Sequence, residues 1–599
     1  MPTSTKGKGS EPSSPTPATS ALQIDFATQI EQHAPWETWA EKLINRKKPV
    51  QLRKLLPANV RDSLLWSVSG DTSPGTVDLV KKLSRLKKDR SPREPADWCA
   101  VVDDWIQRSR GASYSVDYAL ECVGWTNTLA RLAPRLTAQK WWELAANLID
   151  CASEALTSMV LDTKHSHFDS LHIGQLLTCE LPLALAYWFP RIDHFRAMGA
   201  RGTAALSESL IELLDGEGMP HGRHVANVRL LLACWTRSVY LSTHGPGGRI
   251  DRDAQLQFEW LVRQTLRFRR GDGTLAFDAS KANRRLLNDL VVSALAIAGD
   301  DTDEEIFAVA TDKKKKLPAI NHLPTAGEHS EWAEFAILRT DWTTDAALCA
   351  VRFDGESPTI ELSVGKRVLA KGVDPPVVRV NGKNATASHA WEEICWESDD
   401  DGDYIELQTR LEHGLIVQRQ IVLFRDEMLF YTSDAVLGAT HADIEYERRF
   451  PFAEDVSLTG AEETREVTIN LRGIAGQVLP LALPEWQAGH HFGSLSEDGV
   501  LKQSTRGDAL YAPMLIDLNP KRVRKQLTWR QLTVAERLQI VGADVAVAYR
   551  VQMGKEQWLI YRSLAPKANR TFLGQNHSTE FLFARFSTDG DIENLVEVE

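Results

Sequence analysis

Between Asp215 and His224 the chain places Asp215, Glu217, His221, Arg223 and His224 in one Gly- and Pro-bearing break, LLDGEGMPHGRH, flanked by apolar runs. Imidazole and carboxyl groups this dense are the side chains that move protons near neutral pH, and a guanidinium is the one that steadies a carboxylate. The stretch reads either as the lip of a catalytic cleft or as a turn whose acids and histidines cap two helices. A second cluster, DTKHSHFDSLHIGQ, holds His165, His167, Asp169 and His172. On a helix, His165, Asp169 and His172 share one face at spacings of four and three. That face suits a divalent metal with one further ligand, a cleft histidine beside Glu180, or simply three surface histidines. No cofactor is expected otherwise.

The elements that must hold these residues follow from hydrophobic periodicity. Residues 22–312 repeat apolar positions at three and four in runs such as VDYALECVGWTNTLARLA and HVANVRLLLACWTRSVYL, which predicts helix after helix joined by short breaks. Tryptophan is frequent in this half, chiefly as packing wedges. Residues 313–330, with a lysine run and two prolines, read as a linker. From 331 to 599 the period becomes two, with β-branched and aromatic residues and Asn-Gly or Asp-Gly turns, which predicts stacked antiparallel strands. The fold class is multidomain, α then β.

Composition narrows the function. The chain has 599 residues, too many for one core, and a formal net charge of −12, which argues against a general nucleic-acid binder. Basic residues from Arg46 to Arg93 read as solvated helix faces or, alternatively, as a surface that attracts a polyanion such as an acidic glycan or nucleic acid. Seven scattered cysteines without a CxxC pair argue against a disulfide framework or a structural zinc. Residues 1–21 are a Ser/Thr/Pro-rich tail without a signal-like apolar core, and no stretch is apolar for long enough to span a bilayer, so a cytoplasmic protein without membrane contact is expected, or a periplasmic or secreted one if the start is misassigned. P-loop, dinucleotide and nucleophile-elbow motifs are absent from the sequence.

Order and wording together bring a family into view. CELPLALAYWFP (179–190), LLDGEGMPHGRH, EFAILRTDW (334–342), LIVQRQIVLF (415–424) and LTWRQLTVAE (527–536) resemble the heparinase II/III-like proteins. The resemblance implies an incomplete (α/α) toroid followed by an antiparallel β-sandwich. It also implies cleavage of uronic-acid polysaccharides or oligosaccharides by β-elimination, with an acidic glycan as partner. On that reading His224 is the base, Arg223 and Glu217 hold the substrate carboxylate, and His221 is the reserve acid. Asp215, Glu180 and His172 are further substrate-binding candidates.

Two departures stand beside the resemblance. Family members commonly carry a tyrosine where this loop has none, and the nearest ones in sequence are Tyr187 and Tyr240. The early sandwich segment 352–372 lacks the histidines usual there, and its Asp354 and Glu356 read as solvated turn acids. A catalytically degenerate glycan-binding or structural protein is therefore the alternative. A glycoside hydrolase using Asp215 and Glu217 as a carboxylate pair is a third reading.

Overall fold

The computed structural model describes residues 36–45, 62–86, 97–109, 114–161, 171–278, 284–312, 314–315, 323–472, 474–487, 493–587 and 590–599. His165, His167 and Asp169, the 1–21 tail and much of the basic stretch lie outside them. The chain forms two compact units, 1–208 with 233–251, and 209–232 with 252–599. The change from helix to strand falls after Thr311 and before Glu328.

The helices of the first unit include α1 (Trp36–Asn45), α2 (Pro74–Ser84), α3 (Trp98–Ser109), α4 (Val116–Leu132), α5 (Ala138–Leu161), α6 (Leu171–Gln175) and α7 (Leu181–Trp188). Local chemistry sets their starts. Ser73 and Ser115 accept backbone N–H bonds from Thr76 and Tyr118, and Pro74 occupies the first turn of α2, where its missing N–H costs nothing. Between α6 and α7 the backbone widens into a π-turn at Leu176–Glu180, just before Pro182. Trp98, Trp105, Trp125 and Trp141 are fully buried, so the abundant indoles are indeed wedges between helices.

Helices α8 (Asp193–Glu212) and α9 (Val228–His244) each begin in one unit and end in the other. The second unit continues with α10 (Arg252–Arg267), α11 (Arg284–Ala298) and α12 (Asp301–Thr311), the last started by an Asp300–Asp303 capping box. A five-stranded antiparallel sheet follows, β1 (Glu328–Ser330), β2 (Phe335–Arg339), β3 (Ala347–Arg352), β4 (Thr359–Val364) and β5 (Arg367–Val373), in sequence order. β2 is buried at every position because both its faces are covered. On one side Phe335, Ile337 and Ala350 meet Met219, Val225 and Phe268 in an apolar cluster. At the end of β2 the Arg339 guanidinium donates to the carbonyls of Arg267 and Arg269, the last of α10 and just beyond it.

The rest of the sandwich centres on an eight-stranded sheet in which Leu510–Asp517, Leu429–Leu437, Ile416–Phe424 and Gly402–Arg410 lie side by side in that order. Its core also encloses charge. Arg419 makes a two-pronged pair with Asp434 at 2.7 Å on each prong, Arg448 grips Asp374, and the Tyr446 hydroxyl donates to Asp434. Burial works against the ionised form of Asp434, yet Arg419 and Arg448 outweigh it and hold the carboxyl below its ordinary value.

Candidate active site

The loop 213–227 lies in the second unit. Leu214 and Pro220 face each other in an isolated antiparallel bridge, which folds the intervening residues into a hairpin tipped by Gly216, Glu217 and Gly218. Asp215 Oδ1 accepts from the backbone N–H of Glu217 (2.8 Å) and of Met219 (3.0 Å), so this carboxylate is committed to the loop itself. Gly218 has φ +78°, and a Cβ there would lie 2.3 Å from the Leu261 backbone nitrogen. Gly218→Ala is therefore expected to cost about 2–4 kcal/mol, from left-handed backbone strain plus overlap with α10. Urea unfolding would read it, and a change under 1 kcal/mol would refute this account of the turn.

Beyond Pro220 the chain turns against the sandwich. The Gly222 N–H donates to the Ala333 carbonyl at 2.6 Å, and a Cβ on Gly222 would crowd Arg352 Cγ at 2.9 Å. His221 caps the short 3-10 turn Gly222–Asn227, its Nδ1 accepting from the Arg223 N–H at 3.4 Å. The neutral ring assigned from that bond carries its proton on Nε2, which lies 3.5 Å from Glu334 Oε2. Glu334 holds a left-handed backbone, φ +52°, at the end of the turn linking β1 to β2. The same turn presents Trp332, half exposed, edge-on to the His221 ring at 5.7 Å. The His224 ring sits 6.4 Å from that of His221. Asp354, paired with Arg352 at 2.9 Å, completes the surround.

The electrostatics of the two rings differ. Burial and the Arg223 charge lower the His221 pKa, with Glu334 and Asp354 partly restoring it. Burial, Arg223 and His221 together push His224 down to about 4. Both imidazoles are thus neutral at physiological pH beside an exposed, permanently charged Arg223. No hydrogen bond from protein groups to the His224 ring exists among the described residues. The arrangement supplies a neutral base, a cation for a carboxylate, and an oriented His–Glu pair.

The structure thus brings His221, Arg223 and His224 together. Glu217 is exposed at the hairpin tip, where its charge acts on Arg267 rather than on the histidines. Glu180 corrects the sequence reading: it is fully buried and held two-pronged by Arg237 at 2.6 and 2.7 Å. Arg237 also donates to Ser63 O and Ser67 Oγ, so Glu180 holds helices, not substrate. His172 is likewise enclosed, with no exposed surface for a ligand from solvent. Among the described residues no group of three or more His, Cys, Asp and Glu is placed to hold a metal. Tyr187 and Tyr240 are both buried at 2% exposure. Glu334, Trp332 and Asp354 are the additions, and Asp354 is a neighbour of His221 rather than a solvated turn acid.

No protein-family model matches the chain, and no curated protein matches it. Solved structures do. A crystal structure of heparinase III superposes with a TM-score of 0.56 at 11% identity, covering 94% of this chain and 97% of the other. A second heparinase III gene product gives 0.55 at 10% identity over 90% and 97%. A mutant of heparan sulfate lyase HepC from Pedobacter heparinus gives 0.52 at 12% identity over 92% and 95%. The chain therefore has the heparinase II/III-like fold, a helical toroid domain followed by an antiparallel β-sandwich.

Proposed function

We propose that this protein cleaves uronic-acid-containing polysaccharide or oligosaccharide by β-elimination at the 221–224 loop. The observation that carries the reading is the uncharged His224 ring, its nitrogens unclaimed by protein groups among the described residues, beside the Arg223 cation. Arg223 pairs with the sugar carboxylate and so acidifies the adjacent C–H. His224 takes that proton as the electron pair forms a ring double bond and the glycosidic C–O bond breaks. The imidazolium so formed on His224 carries the proton that the leaving oxygen takes up, with His221, 3.5 Å from Glu334, as the reserve donor when it is protonated. The bound carboxylate also offsets the Arg223 field and raises the basicity of His224. The structural neighbours include a lyase of heparan sulfate, which supports an acidic glycan as substrate class.

The second reading, a glycan binder that keeps the fold without the reaction, is favoured by one feature. The loop lacks a tyrosine, and both Tyr187 and Tyr240 are buried. Ultraviolet absorbance separates the two, because elimination leaves a conjugated, unsaturated uronate. A rise with heparan sulfate or another uronate glycan supports elimination. A flat trace on every uronate glycan, with binding detected by calorimetry, supports the binder.

A further inference from the structure

In the first unit a cavity of about 340 Å³ opens among α2, α3 and α4, within the size range of small-molecule sites. Its wall carries Ser73, Arg108, Ser115, Asp117, Tyr118 and Glu121. None of these takes part in the chemistry assigned to the 221–224 loop. Glu121 is the unusual member. Its side chain is only 6% exposed, and among the described residues it meets the Thr76 hydroxyl at 2.6 Å, a looser approach by Arg108 at 3.8 Å and the Trp105 indole. A carboxylate has about four acceptor positions, so this pairing leaves capacity facing the cavity. Burial accordingly raises the Glu121 pKa, with Thr76, Arg108 and Trp105 opposing.

The wall is also rigid. Ser73 and Ser115 are helix caps, and Asp117 Oδ1 accepts from the Ser73 backbone N–H at 2.9 Å. The Tyr118 ring is held parallel to Trp105, with 6.1 Å between centroids and 6° between planes. Arg108 reaches the rim from the last turn of α3 and is tied to Asp104 at 2.9 Å. Hydroxyl acceptors and donors, carboxylates that can take bonds from adjacent hydroxyls, one guanidinium and one aromatic wall match a compact ring dense in hydroxyl groups. The two carboxylates disfavour a second anion there. We propose that this cavity binds a neutral monosaccharide unit, as a carbohydrate site separate from the 221–224 loop. The proposal does not depend on the β-elimination reading.

Saturation-transfer NMR on the full chain with glucose, galactose and N-acetylglucosamine tests it, with glucuronate as the charged contrast. At least one neutral sugar is expected to receive transfer, and glucuronate less. Titration should then show binding about tenfold weaker in Glu121→Gln, the size of one lost charge-assisted hydrogen bond. Arg108→Ala, at an exposed position, gives a second reading if Glu121→Gln fails to fold. His224→Ala should bind as the unaltered protein does. Absence of transfer from every neutral sugar overturns the proposal. So does binding that survives both cavity substitutions, or that disappears in His224→Ala.

Discussion

Arg419→Met is expected to lower the stability of the sandwich by about 3–5 kcal/mol, the range for removing one partner of a buried ion pair. Asp434 would lose two charge-assisted hydrogen bonds and keep only the Tyr446 hydroxyl and the more distant Arg448 charge. Arg448 is already engaged with Asp374, so it cannot serve both carboxylates without releasing one. Both side chains of the Arg419–Asp434 pair have zero exposure, which removes water as a substitute partner. The companion variant Arg419→Met/Asp434→Leu should recover part of the loss, because no uncompensated charge remains. Urea unfolding of the three proteins decides the matter. A single-variant loss below 1 kcal/mol, or a double variant no more stable than the single, would show that the network contributes little.

The second large effect belongs to His224. If it is the base, His224→Ala should reduce kcat for elimination by about 10²- to 10⁴-fold, the span usual for general-base residues. The pH dependence adds a sign. With its pKa near 4, His224 is already neutral at pH 6, so the acid limb of kcat/KM should fall close to pH 4 rather than near 6.5. Stability follows the same group. The folded value is depressed below the unfolded one, so its contribution is complete above about pH 6.5 and is lost as pH falls toward 4. His224→Ala should therefore show a flatter stability profile across that window than the unaltered protein. An unchanged rate in His224→Ala would remove it from the mechanism, and an unchanged profile would show that the ring is solvated.

Much of the fold was legible because helices and strands write their period into contiguous residues. The shift from spacing three and four to spacing two anticipates the order of helices and then strands. His221, Arg223 and His224 were legible for the same reason, being neighbours along the chain. Glu334 and Trp332 were not. They reach the loop through one backbone bond, Gly222 to Ala333, across more than a hundred residues, and no spacing rule encodes that meeting. The EWAEFAIL stretch shows a Trp and a Glu just before a strand, which is ordinary turn composition. Glu180 misled in the opposite direction. The sequence shows an acid in an apolar run, but its partner Arg237 stands on a different helix, and pairing is what decides between ligand and strut.

The grip of Arg339 on the end of α10 has a bearing on modularity. The carbonyls of Arg267, the last residue of the helix, and of Arg269 just beyond it take bonds from a side chain at the end of β2, and Phe268 stacks on Phe335 at 5.2 Å beside them. Helix and sheet in that unit are thereby joined as one cooperative block, with residues 209–232 entering it from upstream. A gene fragment cut at the helix-to-strand change would strand both carbonyls and an aromatic face. The inheritable piece is thus not a contiguous one, and shuffling by simple recombination at residue 312 would divide what folds together.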